Sequence, residues 1–115
     1  MGISTHILDT SLGRPAANVP IRLSEFRLDA AGGEWHEIGS ASTDHDGRCK
    51  TLLGDHSLVA TDYKILFNVG SYFYDLHLPS LYPYVEIVFS VTDPLQHYHI
   101  PLLLTANGYT TYRGS

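Results

Sequence analysis

The sequence predicts an all-β fold, a two-sheet β-sandwich with one short helix. Three observations lead there. Apolar residues recur with period two in short segments, and clusters of Gly, Pro, Asn and Asp separate those segments. A content of 43% hydrophobic and 17% charged residues over 115 positions is ordinary for one domain, residues 1–115, with one core.

The elements follow in chain order. In ISTHILD, Ile3, Thr5 and Ile7 share one face, and Ser4, His6 and Leu8 share the other. DTSLGRP is a turn cluster. VPIRLSEF turns Val19, Ile21 and Leu23 inward and Arg22 and Ser24 outward, and DAAGGEW reads as a hairpin connection into WHEIGSAS. TDHDGR is the next reversal, where Asp44, Asp46 and Gly47 suit a tight turn. LGDHSLVATD is the expected helix, with Asp55 as N-cap and Leu58 and Val59 facing inward. YKILFNV alternates Tyr63, Ile65, Phe67 and Val69 against Lys64, Leu66 and Asn68. YVEIVFSV puts Val85, Ile87, Phe89 and Val91 on one face, and HYHIPLLLT puts Tyr98, Ile100, Leu102 and Leu104 on one face. Six or seven strands are implied.

Charge and composition exclude several classes. A net charge of −5, with seven Lys and Arg scattered along the chain, offers no basic stripe for a phosphate backbone, so no nucleic acid partner is expected. No apolar run approaches ~18 residues, so no membrane association is expected. Cys49 stands alone, which excludes an internal disulfide; it reads as a small half-buried residue after a turn.

Seven histidines are the unusual feature. His36, His45, His56 and His77 fall in turns or at strand ends, where a solvated imidazole has no special task. His97 and His99 form a His-x-His on a strand, so both rings project from one face about 7 Å apart. His6 sits on the less apolar face of its own strand. The three could hold zinc, supply a general acid and base, or be structural. Arg48 ends the TDHDGR turn, and its fork of donors suits a planar carbonyl or a developing oxyanion. No phosphate loop, paired-carboxylate pattern or nucleophile elbow accompanies them.

STHILDTSLGRPA, TDHDGR and HYHIPLLLTANGYTTYRGS resemble, in this order and over essentially the whole chain, the transthyretin-related 5-hydroxyisourate hydrolases. The closing YRGS separates these hydrolases from the hormone carriers that share their fold. The resemblance implies a transthyretin-like sandwich, a homotetramer, and sites opening into the channel between dimers. It places the catalytic set on His6, Arg48, His99 and Ser115 and substrate binding on His6, Arg48 and Tyr112. His97 matches a pattern position outside that set. The implied reaction is opening of a ring amide of 5-hydroxyisourate, a small-molecule substrate, with no cofactor and no metal. The alternative is a carrier of a small apolar ligand in the same channel, for which two imidazoles, a guanidinium and YRGS have no use. Thr105-Ala106 replaces a usual Ser-Pro, Thr110 replaces a Ser, and HLPSLYP replaces an aromatic-rich loop; these touch the channel more than the chemistry. Without a visible leader or a Ser-Lys-Leu ending, the cytoplasm is the expected compartment. The last residue lies sixteen positions after His99, enough chain for the strand to end, turn and return, so Ser115 is expected beside the imidazole.

Overall fold

Alternation over Gly2–Asp9 builds the first strand, β1, in the computed structural model, which describes residues 2–115. Eight further strands follow: β2 (Arg14–Pro15), β3 (Pro20–Arg27), β4 (Glu34–Ser42), β5 (Arg48–Cys49), β6 (Asp62–Phe67), β7 (Val85–Ser90), β8 (His97–Thr105) and β9 (Gly108–Thr111). Seven are four residues or longer, in line with the expected number; β2 and β5 are short bridges onto β1. One sheet runs β2-β1-β8-β9 with β5 also on β1, and the other runs β4-β3-β6-β7.

The inward faces are the ones the alternation marked. Ile3, Ile7, Ile100, Leu102 and Leu104 from the first sheet and Ile21, Leu23, Tyr63, Ile65 and Phe67 from the second are all buried. Each such side chain contributes about 1.5–3 kcal/mol by leaving water. The DAAGGEW hairpin forms as expected: Asp29 Oδ1 accepts from the N–H groups of Ala31 at 2.8 Å and Gly33 at 3.0 Å, joining antiparallel β3 and β4.

The helix is not where the sequence placed it. LGDHSLVATD folds as turns and extended chain, with Asp55 and Val59 exposed and Leu58 half-buried. Its bonds are isolated reversals, Gly54 N–H to Thr51 O and His56 N–H to Leu53 O, which do not propagate because no inward stripe follows them. The helix α1 spans Val69–Asp75 instead, directly after β6. Asn68 caps it by accepting from Ser71 N–H at 3.1 Å, and Val69, Tyr72 and Phe73 bury its inner face. Val69 is thus inward as expected, but it opens a helix rather than extending the strand.

Among the described residues the buried side-chain polar atoms are fully partnered. Asp9 Oδ1 accepts from Ser11 N–H, Ser11 Oγ–H and Leu12 N–H, and Asp9 Oδ2 accepts from Tyr72 O–H at 2.7 Å. Burial acts to raise the Asp9 pKa, but the hydrogen bonds from Ser11, Tyr72 and Leu12 together hold it below the usual carboxylate range. Burial and the Asp9 carboxylate push the Tyr72 hydroxyl up to about 12. Glu25 and Tyr63 form a second such pair at 2.8 Å.

Candidate active site

The site is set by one long-range pairing. Strands β1 and β8 are parallel, with Gly2 opposite His97, Ser4 opposite His99 and His6 opposite Pro101. On the other edge of β1 the short strand β5 puts Arg48 opposite His6, and continuing that antiparallel register brings Lys50 opposite Ser4. On the far side of β8, Leu102 pairs with Thr111 and His99 bridges to Gly114, so Tyr112 falls opposite Pro101. Two rows therefore cross the outer face of this sheet: Lys50, Ser4, His99, Gly114, and beside it Arg48, His6, Pro101, Tyr112.

The turn that delivers Arg48 is locally determined. Asp44 Oδ1 accepts from Asp46 N–H and Arg48 N–H, each at 2.9 Å, and the bond from Arg48 holds the Asp44 carboxyl below its ordinary pKa. Gly47 has φ +74°, and a Cβ there would stand 2.3 Å from Ile7 O, so the turn can lie against β1 only with glycine.

Within the first row, Ser4 Oγ lies 2.7 Å from His97 Nε2 and 2.8 Å from His99 Nδ1. His6 Nε2 is 2.9 Å from the Asp46 carbonyl oxygen. A carbonyl only accepts, so Nε2 carries the proton and Nδ1 of the neutral ring keeps the lone pair. The rings do not converge on one point, contrary to the zinc alternative: two turn to Ser4 and one to Asp46. The one group of ligand-type atoms close together among the described residues is Asp44, His45 and Asp46, an exposed turn.

The tail closes the cleft. Gly114 N–H donates to His99 O at 2.8 Å, and a Cβ on Gly114 would stand 2.4 Å from His99 Cδ2. Only glycine lets the tail lie against the ring. Arg113 faces the other way: its guanidinium sits 4.5 Å over the Tyr98 ring and donates to Gln96 Oε1 at 2.8 Å. Ser115 then lines a cleft of about 180 Å³ with Ser4, Thr5, Arg48, Lys50, His97 and His99.

Of the residues expected from sequence, His99, Arg48 and Ser115 meet in this cleft, and His6 stands beside Arg48 on the same face. Tyr112 does not line it. It is 55% exposed and borders a separate hollow between β7 and β9 with Ile87, Phe89 and Tyr98. Ser4 and Lys50 line the cleft and were not singled out, because a strand Ser and a post-turn Lys are common residues. The one available signal for Ser4 was its place on the same strand face as His6.

The cleft is electropositive. Among the described residues neither Arg48 nor Lys50 has a carboxylate within 4.0 Å. Burial, then the charges of His6, Arg48 and His97, lower the His99 pKa below 6.5, with hydrogen bonding at Ser4 opposing them. His99 is therefore neutral at neutral pH and able to take a proton.

A two-sheet sandwich with three histidines, two cations and a buried serine on the outer face of one sheet matches the transthyretin-like class, in a form equipped for hydrolysis. A family model described as HIUase/Transthyretin family matches residues 3–114, and this chain belongs to that family. It is 43% identical to the 5-hydroxyisourate hydrolase of Mus musculus over 98% of this chain and 94% of that protein. It superposes on the structure of Klebsiella pneumoniae 5-hydroxyisourate hydrolase with a TM-score of 0.85 at 31% identity, covering all of both chains. It is also similar to sea bream transthyretin in complex with thyroxine, with a TM-score of 0.87 at 28% identity over 99% of this chain and 95% of that one. Fold alone thus does not separate enzyme from carrier.

Proposed function

We propose that this chain, acting as one domain, hydrolyses 5-hydroxyisourate in urate catabolism, opening the ring to 2-oxo-4-hydroxy-4-carboxy-5-ureidoimidazoline. The observation that carries the reading is the cleft where His99, Arg48 and Ser115 meet. Curated hydrolases similar over almost the full chain support it.

His99 takes the proton of the attacking water, and the same proton then reaches the ring nitrogen as its bond to carbon breaks. Arg48 orients the substrate carbonyls and stabilises the oxyanion, with Lys50 adding positive charge. His6 binds substrate and shares the acid-base work, and Ser115 positions the water or His99. Tyr112, on the same sheet face but outside the cleft of its own chain, acts as a substrate contact in the assembled protein. We propose a homotetramer, on family grounds; exposed Val88 on β7 and Tyr112 beyond β9 leave apolar surface at these edges for another copy to cover. Among the described residues no helix is long and apolar enough to cross a membrane. The cytoplasm remains our proposed compartment.

The test generates 5-hydroxyisourate in situ with urate oxidase and follows its ultraviolet decay. Acceleration by the protein is expected; a decay unchanged by its addition would sink the reading.

A further inference from the structure

Ser4 is 6% exposed, and its hydroxyl touches both His97 and His99. A hydroxyl has one proton to donate, so it donates to one imidazole and accepts from the other. The chain of three groups has two settings. In the first, Ser4 donates to His99 Nδ1, and neutral His99 carries its proton on Nε2, where it is an acid. In the second, His99 Nδ1–H donates to Ser4, Ser4 donates to His97 Nε2, and His99 Nε2 is a free lone pair. No hydrogen bond among the described residues engages His99 Nε2, so the setting of Ser4 decides the chemistry of that nitrogen.

We propose that Ser4 and His97 are positioning residues for the hydrolysis: they hold His99 in the second setting, as a base, and His97 is the outlet for the proton released in each turnover. The inference rests on the hydrolase reading. His97 suits an outlet because it is exposed and lines both the cleft and a neighbouring cavity of about 680 Å³ beneath residues 50–58, whereas His99 is half-buried. The groups facing His99 are His6 from β1, Arg48 and Lys50 from β5 and the residue after it, His97 on its own strand, and Ser115 on the tail. These side chains are basic or neutral, so positive charge is repelled from the half-buried ring toward the exposed one.

The protons balance. Water gives one proton to His99 Nε2 as its oxygen bonds to the carbonyl carbon, and that proton goes to the leaving ring nitrogen. The product is a carboxylic acid, which ionises at neutral pH and must lose one proton. That proton enters at His99 Nε2, while Nδ1–H passes to Ser4, the Ser4 proton passes to His97 Nε2, and His97 Nδ1–H leaves to solvent. After product leaves, His99 Nε2–H gives its proton to water in the open cleft, His97 Nε2–H passes to Ser4 and the Ser4 proton to His99 Nδ1, and His97 Nδ1 takes a proton from solvent. This exchange adds no net proton and restores the second setting.

Nitrogen-15 NMR of the ring nitrogens in the resting protein reads the setting directly, without substrate. His99 is expected to carry its proton on Nδ1. Ser4→Ala should mix the tautomers and lower kcat about tenfold while KM stays within about twofold. Ser4→Thr, which keeps the hydroxyl, should restore both. His97→Gln still accepts from Ser4 but carries no proton onward, so it should keep the His99 tautomer, lower kcat and be rescued by added imidazole buffer. A resting His99 protonated on Nε2, or a folded Ser4→Ala protein with unchanged kcat and tautomer, would overturn the proposal. Should Ser4→Ala unfold, His97→Gln with unchanged kcat would do so. A wild-type protein inactive on 5-hydroxyisourate sinks the functional reading instead, and leaves the tautomer measurement standing.

Discussion

The two polar regions of this sandwich are built on opposite terms. Inside, Asp9 with Tyr72 and Glu25 with Tyr63 are carboxylates whose donors surround them, and no buried side-chain polar atom among the described residues lacks a partner. On the outer face, among the described residues, Arg48 and Lys50 have no carboxylate within 4.0 Å and His99 has a ring nitrogen without a partner. Satisfied groups fix a fold, whereas unsatisfied charges held in place are what a ligand or transition state can use. Substitutions should therefore separate cleanly, with turnover lost at the face and stability lost inside.

The largest expected effect tests that separation. His6→Ala, Arg48→Ala and His99→Ala should each slow 5-hydroxyisourate decay by roughly 10² or more, with melting temperature and assembly unchanged. Near-normal activity in all three would move the site elsewhere. Gly114→Ala should approach them in turnover, because the new methyl displaces His99 or the tail; residues appended after Ser115 should likewise harm catalysis more than folding.

The interior gives the converse. Tyr72→Phe removes one donor from buried Asp9 and should cost about 1–3 kcal/mol in denaturant unfolding, with kcat unchanged. The effect has a pH signature: the lowered Asp9 pKa stabilises the fold above the unfolded carboxylate range and is lost as pH falls through the folded value, so the variant's deficit should shrink in acid. A deficit constant with pH would remove Asp9 from the account.

A smaller effect sharpens the cleft side. If neutral His99 is the base, the acid limb of kcat/KM lies below the ordinary imidazole range, since burial and neighbouring cations lower its pKa. Arg48→Gln removes one of those cations and should move the residual activity's limb upward, toward the ordinary imidazole value. A downward shift would exclude His99 as the group observed. Smallest of all, His36→Ala and His77→Ala should leave both turnover and stability within error.

Much of this was legible in the sequence, for local reasons. Period-two alternation placed most of the core but not Ala16, Leu52, Tyr72 or Phe73, which lie outside the alternating segments, and the Asp44-to-Arg48 turn is written in adjacent residues. The misplaced helix shows the limit. Val69, Tyr72, Phe73 and Leu76 carry helical spacing, yet Tyr63, Ile65 and Phe67 lead into Val69 with perfect strand alternation, and two periods sharing a residue cannot be told apart locally. His6, Arg48 and His99 stood out by strand face and turn position, and their roles, like Ser115 itself, came from motif resemblance, but their meeting depends on a parallel pairing between segments 95 residues apart, which no local pattern encodes. Ser4 was hidden for the same reason.

That pairing also governs when the site can exist. During synthesis the β4-β3-β6-β7 sheet is complete once Ser90 has emerged. Until β8 arrives, β1 has only the two-residue strands β2 and β5 beside it, and a long open edge on its other side. The cleft is thus the last region to form on the nascent chain. A prematurely terminated product would hold one finished sheet and a sticky, unpaired first strand, which makes it a candidate for aggregation rather than for partial activity.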